Sequence, residues 1–144
     1  MSLYHPLLYR PATIVPSNRI LHRNDNTGSV TGDTMQKILE ITIQKLPESP
    51  LTLRTYFEIR SATSGISACG QIWKNGTEYG TLRVQYDGEW KAFTEDLEFS
   101  EGDKVQLYIR SATTDGTAEG RNLRLLGTYK PKPLQPALFV TTMP

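Results

Sequence analysis

The stretch from Gly102 to Arg110 most constrains the fold, because a Gly-Asp turn leads directly into strict alternation of apolar and polar side chains. The apolar positions are Val105, Leu107 and Ile109, and the polar positions are Gln106, Tyr108 and Arg110. Successive side chains of a β-strand point to opposite faces. The sequence therefore predicts a strand with one face in a core and the other toward solvent or a partner.

The segment 51–60 has the same layout. Its two faces consist of Leu51, Leu53, Phe57 and Ile59 on one side and of Arg54, Tyr56, Glu58 and Arg60 on the other. Both strands run into an identical Ile-Arg-Ser-Ala-Thr sequence, at 59–63 and at 109–113. Tyr56 and Tyr108 face away from the apolar rows, where aromatic side chains are typical of subunit contacts. We therefore predict these two tyrosines as subunit-interface residues.

Between its ends the sequence predicts short strands separated by turns. The predicted strands lie near residues 37–45, 51–61, 66–74, 78–86, 89–96, 104–112 and 120–128. Asn75-Gly76 and Asp87-Gly88 are both typical of tight hairpins. The segment 34–39 is the one helix candidate, but the alternation of Leu39 with Ile41 favours a strand. Seven or eight strands with one apolar face each predict an all-β, antiparallel two-sheet sandwich, most commonly connected as a jelly roll.

The two ends of the chain carry most of its prolines. Residues 1–32 contain Pro6, Pro11 and Pro16 and have no regular period, which predicts an extended arm outside the central strands. We predict a sandwich over 33–128 and an extended C-terminal tail over 129–144. The arm is too apolar for a solvated linker, so either a partner pins it or it folds back on its own domain. The predicted capsid- or partner-binding residues of the arm are Tyr4, Leu7, Leu8, Tyr9, Ile14 and Val15.

Charge and composition disfavour several classes of partner. The 144 residues include 16 basic and 15 acidic side chains, a formal net charge of +1. This balance predicts neither nucleic-acid nor membrane binding. The N-terminus lacks a secretory pattern, so we expect the chain to be made in a cytoplasm. The single cysteine, Cys69, rules out an internal disulfide framework and is expected to be buried in a strand.

No sequence motif for catalysis, a metal or a cofactor is present. His5 and His22 lie in the arm, where a rigid catalytic geometry is hard to hold. The acidic group Glu95, Asp96, Glu98, Glu101 and Asp103 does not have the spacing of a calcium-binding loop. We therefore expect a protein that is not an enzyme, with no cofactor and no metal.

The aromatic residues leave two interpretations open. Trp73 and Trp90, together with several tyrosines, could form an exposed platform for sugars. Aromatic side chains in strands also pack in cores and interfaces. A tryptophan exposed in a groove with polar partners would favour the binding platform.

Several segments resemble the jelly-roll domains of phage and virus structural proteins. They are Gly-Ser-Val-Thr-Gly-Asp-Thr at 28–34, the strand 39–43, the hairpin 69–81, Phe-Thr-Glu-Asp-Leu at 93–97, the strand 102–108 and the terminal strand 121–125. The resemblance covers about 28–127. Domains of this kind are similar in outline to the tumour-necrosis-factor and C1q jelly rolls, which assemble as trimers.

The resemblance implies a capsid decoration protein. Such a protein would bind the major capsid protein on the virion surface as a homotrimer and cement the shell by mass action. One alternative is a receptor- or carbohydrate-binding module of a tail tip or fibre. A weaker alternative is a filament subunit assembled by strand exchange through a terminal arm.

Overall fold

The computed structural model describes residues 12–131, which form nine β-strands and no helix. The strands are β1 (Ala12–Thr31), β2 (Gln36–Thr42), β3 (Leu51–Ser61), β4 (Ala68–Lys74), β5 (Thr77–Glu78), β6 (Arg83–Gln85), β7 (Lys91–Phe99), β8 (Lys104–Ser111) and β9 (Thr117–Pro131). Within this range there is accordingly no helix of the length and apolar character needed to cross a membrane.

The strands form two antiparallel sheets. The first sheet has the order β1-β9-β3-β7 and the second has the order β2-β8-β4-β5, with β6 also paired to β4. The short strands β5 and β6 pair with different parts of β4, so together they act as one interrupted strand. The resulting arrangement of two four-stranded sheets is that of a jelly roll. The predicted all-β, two-sheet sandwich is confirmed.

The core lies between the sheets and is built from the predicted apolar rows. The residues of 0% exposure include Ile59, Val105, Leu107, Ile109, Leu123 and Leu125. The two sheets pack closely at Gly70 of β4. A Cβ atom there would lie 3.1 Å from Cε2 of Phe57 and 3.0 Å from Cγ2 of Ile59, so this position has no room for a side chain.

Residues 12–31 differ from the predicted arm. They form β1, an edge strand of the first sheet that pairs with β9 from Ala12 to Thr31. The prolines exclude a central strand, but an edge strand tolerates them. The register shifts between Val15 and Ile20, and this irregularity accommodates Pro16. The sandwich therefore begins before residue 33, and β9 extends it to Pro131.

The pairing of β1 with β9 alters how far the predicted binding residues of the arm are accessible to a partner. Ile14 is only 4% exposed and packs in the core, so it is not available as an anchor for a partner. Val15 is half-buried in β1. The other four predicted anchors lie outside the described residues; they are Tyr4, Leu7, Leu8 and Tyr9.

The two predicted hairpins have different outcomes. Asn75 and Gly76 have φ values of 53° and 81° and connect β4 to β5 as a tight hairpin turn. The hairpin predicted at Asp87-Gly88 is wrong, because β6 and β7 belong to different sheets. The main-chain oxygen of Asp87 accepts a hydrogen bond from the N–H of Ser61, so the dipeptide anchors a crossover at the end of β3.

The repeated Ile-Arg-Ser-Ala-Thr sequence ends one strand in each sheet. Ser61 and Ser111 are the buried last residues of β3 and β8. The hydroxyl of Ser61 accepts a hydrogen bond from the N–H of Thr63, and that of Ser111 accepts one from the N–H of Thr113. The repeat therefore forms the same side-chain-stabilised turn twice.

We expect Gly76→Ala to lower the free energy of unfolding by about 1–2 kcal/mol, because an L-residue is strained at the positive φ of this turn. Gly88→Ala is the matched control, since the nearest atom to a Cβ there is the oxygen of Ser61 at 3.6 Å. Urea unfolding of both variants measures the difference. Equal losses would contradict the assigned turn.

Candidate ligand-binding groove on the first sheet

The outer face of the first sheet is lined by paired charges. They come from the polar positions of β3 and from the neighbouring strands. The close pairs are Arg54–Asp96 at 2.9 Å, Arg60–Glu119 at 2.7 Å, Arg121–Glu58 at 2.8 Å and Arg124–Asp25 at 2.9 Å. This face therefore combines an ordered polar surface with the ring of Tyr56.

Glu58 lies at the centre of this surface and is only 9% exposed. Its carboxylate accepts hydrogen bonds from the hydroxyl of Tyr56 at 2.7 Å, from Nε of Arg121 at 2.8 Å and from Nδ2 of Asn122 at 2.9 Å. A carboxylate with three donors of this kind is satisfied despite its burial. Glu58 thus fixes the orientation of the Tyr56 ring.

A β-bulge in β9 brings these donors together. Asn122 has a φ of 57°, and the register between β3 and β9 shifts between the pairs Tyr56–Arg124 and Glu58–Arg121. The extra residue turns both Arg121 and Asn122 toward Glu58. Left-handed backbone is unusual for a residue other than glycine, and Asn is among those that tolerate it best.

The environment of Glu58 sets the sign of its pKa shift. Burial alone would raise the pKa, but the hydrogen bonds from Asn122, Tyr56 and Arg121 outweigh it and lower the pKa below its ordinary value. A carboxyl group with a lowered folded-state pKa stabilises the fold above its unfolded-state pKa. That contribution is lost as the pH falls through the folded-state pKa.

We expect the free energy of unfolding to decrease as the pH is lowered from about 5 to about 3, because the unfolded chain binds protons first. Glu58→Gln should flatten this dependence, since the amide does not titrate. Urea unfolding at a series of pH values measures both curves. A variant curve parallel to that of the unmodified chain would show that Glu58 does not contribute.

A groove crosses this face beside Tyr56. Its volume is about 230 Å³, and it is lined by Asn18, Ile20, Tyr56, Thr94, Arg124 and Leu126. One wall is apolar, because it contains Leu126 and its cross-strand partner Ile20, which is 41% exposed. The opposite wall of the groove is polar. The groove thus offers an apolar surface and hydrogen-bonding groups within the same small space.

Arg124 provides the charge in this groove. Its guanidinium carbon lies 5.4 Å from the centroid of the Tyr56 ring, and its Nε donates to Oδ1 of Asp25 at 2.9 Å. This hydrogen bond raises the pKa of Arg124 above its ordinary value. Within residues 12–131, the hydrogen bond to Asp25 is made by Nε alone, so the two terminal amino groups are left to meet a ligand.

A second hollow of about 310 Å³ lies among the loops at one end of the sandwich. It is lined by Ser61–Gly65 and by Tyr86, Asp87 and Gly88. Tyr86 is 74% exposed, but Oδ1 of Asp87 already accepts hydrogen bonds from Gln85 and Glu89. The lining of this hollow includes one exposed aromatic ring but no guanidinium group.

Trp73 lies on β4 of the second sheet and Trp90 in the segment before β7 of the first sheet, and their rings contact different residues, so they do not form one platform. Trp73 is half-buried on β4, where its ring stacks on Tyr108 with centroids 3.8 Å apart and its Nε1 donates to Gln71. Trp90 precedes β7 and is half-buried beneath two guanidinium groups, those of Arg60 at 4.6 Å and Arg121 at 4.1 Å. Neither lines the groove.

The two predicted interface tyrosines are also separated. Tyr56 lies on β3 of the first sheet and Tyr108 on β8 of the second, each half-buried on the outward side. A ring-shaped oligomer joins one face of a protomer to a different face of the next. The role of Tyr56 and Tyr108 in a subunit interface therefore stays a prediction.

The acidic residues are used in turns and ion pairs. Asp103 accepts hydrogen bonds from the N–H of Ser100 and from the side chain of Asn75, while Glu95 accepts two from Thr81. In the part of the chain that the structure describes, no three His, Cys, Asp or Glu residues lie close enough to hold a metal ion.

These features define the class of the protein as a β-sandwich of jelly-roll topology with a polar groove on one outer face. No family model and no curated protein matches the chain. Among solved structures it is similar to the C-terminal domain of EclA, described as a sugar-binding protein, with 14% identity and a TM-score of 0.45; the similarity covers 76% of this chain and 79% of that one. It is also similar to the exo-β-1,3-galactanase of Phanerochaete chrysosporium with galactose, with 12% identity and a TM-score of 0.41, over 72% of this chain and 27% of the galactanase.

Proposed function

We propose that the protein is a non-enzymatic carbohydrate-binding module and that the groove beside Tyr56 is its site. The observation that supports this most directly is the proximity of an aromatic ring, an exposed aliphatic side chain and a guanidinium group in one small groove. A sugar ring has an apolar C–H face and polar edges. Small-molecule sites meet such ligands with apolar walls and a few well-placed polar groups.

The size of the groove indicates how much ligand it holds. Its volume of about 230 Å³ is below the range of about 300–1,000 Å³ that is typical of sites for drug-sized ligands. The groove suits one sugar ring rather than a long oligosaccharide. Affinity for a single ring is then modest, and useful binding would come from several sites acting together.

The chemistry of Glu58 favours binding over catalysis. A general acid requires a carboxyl group whose pKa is raised toward the working pH. The pKa of Glu58 is instead lowered, against the effect of its burial, by hydrogen bonds from Asn122, Tyr56 and Arg121. Its place in the proposal is therefore to orient Tyr56.

The capsid-decoration, trimer and virion predictions stay predictions. Most of the arm residues proposed to bind the capsid lie outside residues 12–131, and Ile14 is buried in the core. Substituting serine at Tyr4, Leu8 and Tyr9 together should abolish capsid binding if that role is right, whereas retained binding would contradict it. The filament alternative requires an incomplete sheet, but β1 and β9 of the same chain already pair along their length.

We expect Tyr56→Ala to weaken binding to an immobilised glycan panel at least tenfold, because the ring forms part of the groove. Tyr56→Phe keeps the ring but removes its hydrogen bond to Glu58, so its loss of binding should be smaller than that of Tyr56→Ala. Tyr108→Ala is the matched control, since Tyr108 lies on the other sheet. Thermal unfolding establishes that each variant is folded. Equal losses for Tyr56→Ala and Tyr108→Ala, or no glycan bound by the unmodified chain, would overturn the proposal.

A further inference from the structure

The ion pairs on the outer face of the first sheet contain more arginines than carboxylates. Its ion pairs contain five arginines, at positions 23, 54, 60, 121 and 124, but only four carboxylates, at positions 25, 58, 96 and 119. Asp25 is shared by Arg23 at 3.6 Å and Arg124 at 2.9 Å, so these two arginines have one close carboxylate between them.

The groups that line the groove are mainly hydrogen-bond donors. Arg124 keeps its terminal amino groups for a ligand, because its Nε makes the bond to Asp25. Oδ1 of Asn18 accepts a hydrogen bond from Arg54, which leaves the side-chain amide nitrogen of Asn18 as a donor. None of the groove-lining residues is acidic. The lining therefore favours a ligand that is rich in acceptors and negatively charged.

Two other arginines on this face lie outside the groove. Arg60 and Arg121 each lie against the ring of Trp90 and pair with Glu119 and Glu58 respectively. Neither lines the groove. Arg124 is thus the cation placed to discriminate among ligands of this site.

We propose that the preferred ligand of the groove is an acidic sugar, namely a uronate ring. Its carboxylate lies at the terminal amino groups of Arg124, and its C–H face packs against Ile20 and the ring of Tyr56. This inference rests on the proposed function. A planar guanidinium matches a carboxylate with two parallel hydrogen bonds, whereas a hydroxymethyl group provides no charge to complement the guanidinium of Arg124.

The test compares two probes that differ at one carbon: methyl β-D-glucuronide and methyl β-D-glucoside. NMR titration of the full chain in low salt should give at least tenfold tighter binding of the glucuronide. This difference should shrink as salt is added, because the groove is open to solvent. Sodium acetate should bind far more weakly than the glucuronide, since it lacks the ring.

Arg124→Gln should weaken binding of the glucuronide much more than binding of the glucoside, so that the preference for the glucuronide is lost. Arg60→Gln is the matched control, because it removes one positive charge from the same face without altering the groove lining. It should keep the preference. An equal loss of preference in both variants would show that general charge, not Arg124, determines the ligand, and would overturn the inference.

The outcomes separate the two proposals. Equal binding of the glucoside and the glucuronide overturns the acidic-sugar inference and leaves the carbohydrate-binding proposal in place. Acetate binding as tight as that of the glucuronide also overturns the inference, because the ring then contributes nothing. Failure of both glycosides and of the whole glycan panel overturns the proposed function itself.

Discussion

Phe57→Ala is expected to lower the free energy of unfolding by about 3–5 kcal/mol, which is the range for truncating a buried aromatic side chain. Phe57 is 3% exposed, and its ring centroid lies 5.8 Å from that of Phe93. The ring also covers Gly70 of the opposite sheet. The substitution therefore opens a cavity between the two sheets, next to Gly70. Urea unfolding with tryptophan fluorescence measures the loss.

A compensating substitution tests the cause of that loss. Gly70→Ala alone should cost about 1–3 kcal/mol, because the new methyl group would press on Phe57 and Ile59. In the double variant the methyl group occupies part of the cavity left by Phe57→Ala. The combined loss should fall short of the sum by about 0.5–3 kcal/mol.

Gly120→Ala serves as the control for this pair. Its Cβ would meet Ile38, Ile109 and Leu107 rather than Phe57, so its effect should add to that of Phe57→Ala within about 0.5 kcal/mol. Additive losses for the Phe57 and Gly70 pair would contradict the close approach of the sheets at Gly70.

Glu58→Ala is expected to lower the free energy of unfolding by about 2 kcal/mol. It leaves Tyr56, Arg121 and Asn122 without their common acceptor. Removing one partner of a fully buried ion pair costs about 3–5 kcal/mol. The effect is smaller here because the side chain of Arg121 is 36% exposed and can reach water.

Glu119→Ala provides the comparison on the same face. Glu119 pairs with Arg60, and both side chains are accessible, at 25% and 37%, so its loss should cost less than about 1 kcal/mol. Glu58→Ala should also weaken glycan binding, because the Tyr56 ring loses its anchor, whereas Glu119→Ala should not. Equal stability losses in the two variants would mean that the three donors are not held by Glu58.

The central strands were predictable because burial on one face imposes a strict two-residue period. The segment 51–61 was predicted to be a strand, and β3 has the same bounds. The strand 104–111 follows the same rule. In both cases the apolar row meets the opposite sheet, so local pattern and tertiary packing agree.

The edge strand β1 was not predictable from alternation. Only Ile14 and Val30 of this 20-residue strand are buried, and its register with β9 shifts at several places. Each shift changes which side chains face inward, so the sequence shows no constant period. The resulting position of Asn18 and Ile20 beside Tyr56 could not be foreseen from the sequence either.

The site was predictable only in part. Tyr56 and Glu58 were placed correctly on the outer face by the alternation of β3. The bulge at Asn122 was not indicated, because an asparagine within a strand pattern adopts left-handed backbone only in a suitable tertiary context. Without that bulge, the sequence gives no reason for Arg121 and Asn122 to meet at the same carboxylate.

The strand order has a consequence for how the chain reaches its native state during synthesis. β9 is the neighbour of both β1 and β3, and β8 is the neighbour of both β2 and β4. Until the ribosome has released residues 104–131, β1 and β2 have no hydrogen-bonding partner in their sheets. Pairings as distant in sequence as Ala12 with Pro131 are slow to form and leave apolar strands exposed meanwhile. We therefore expect the nascent chain to be most prone to aggregation before β9 has emerged.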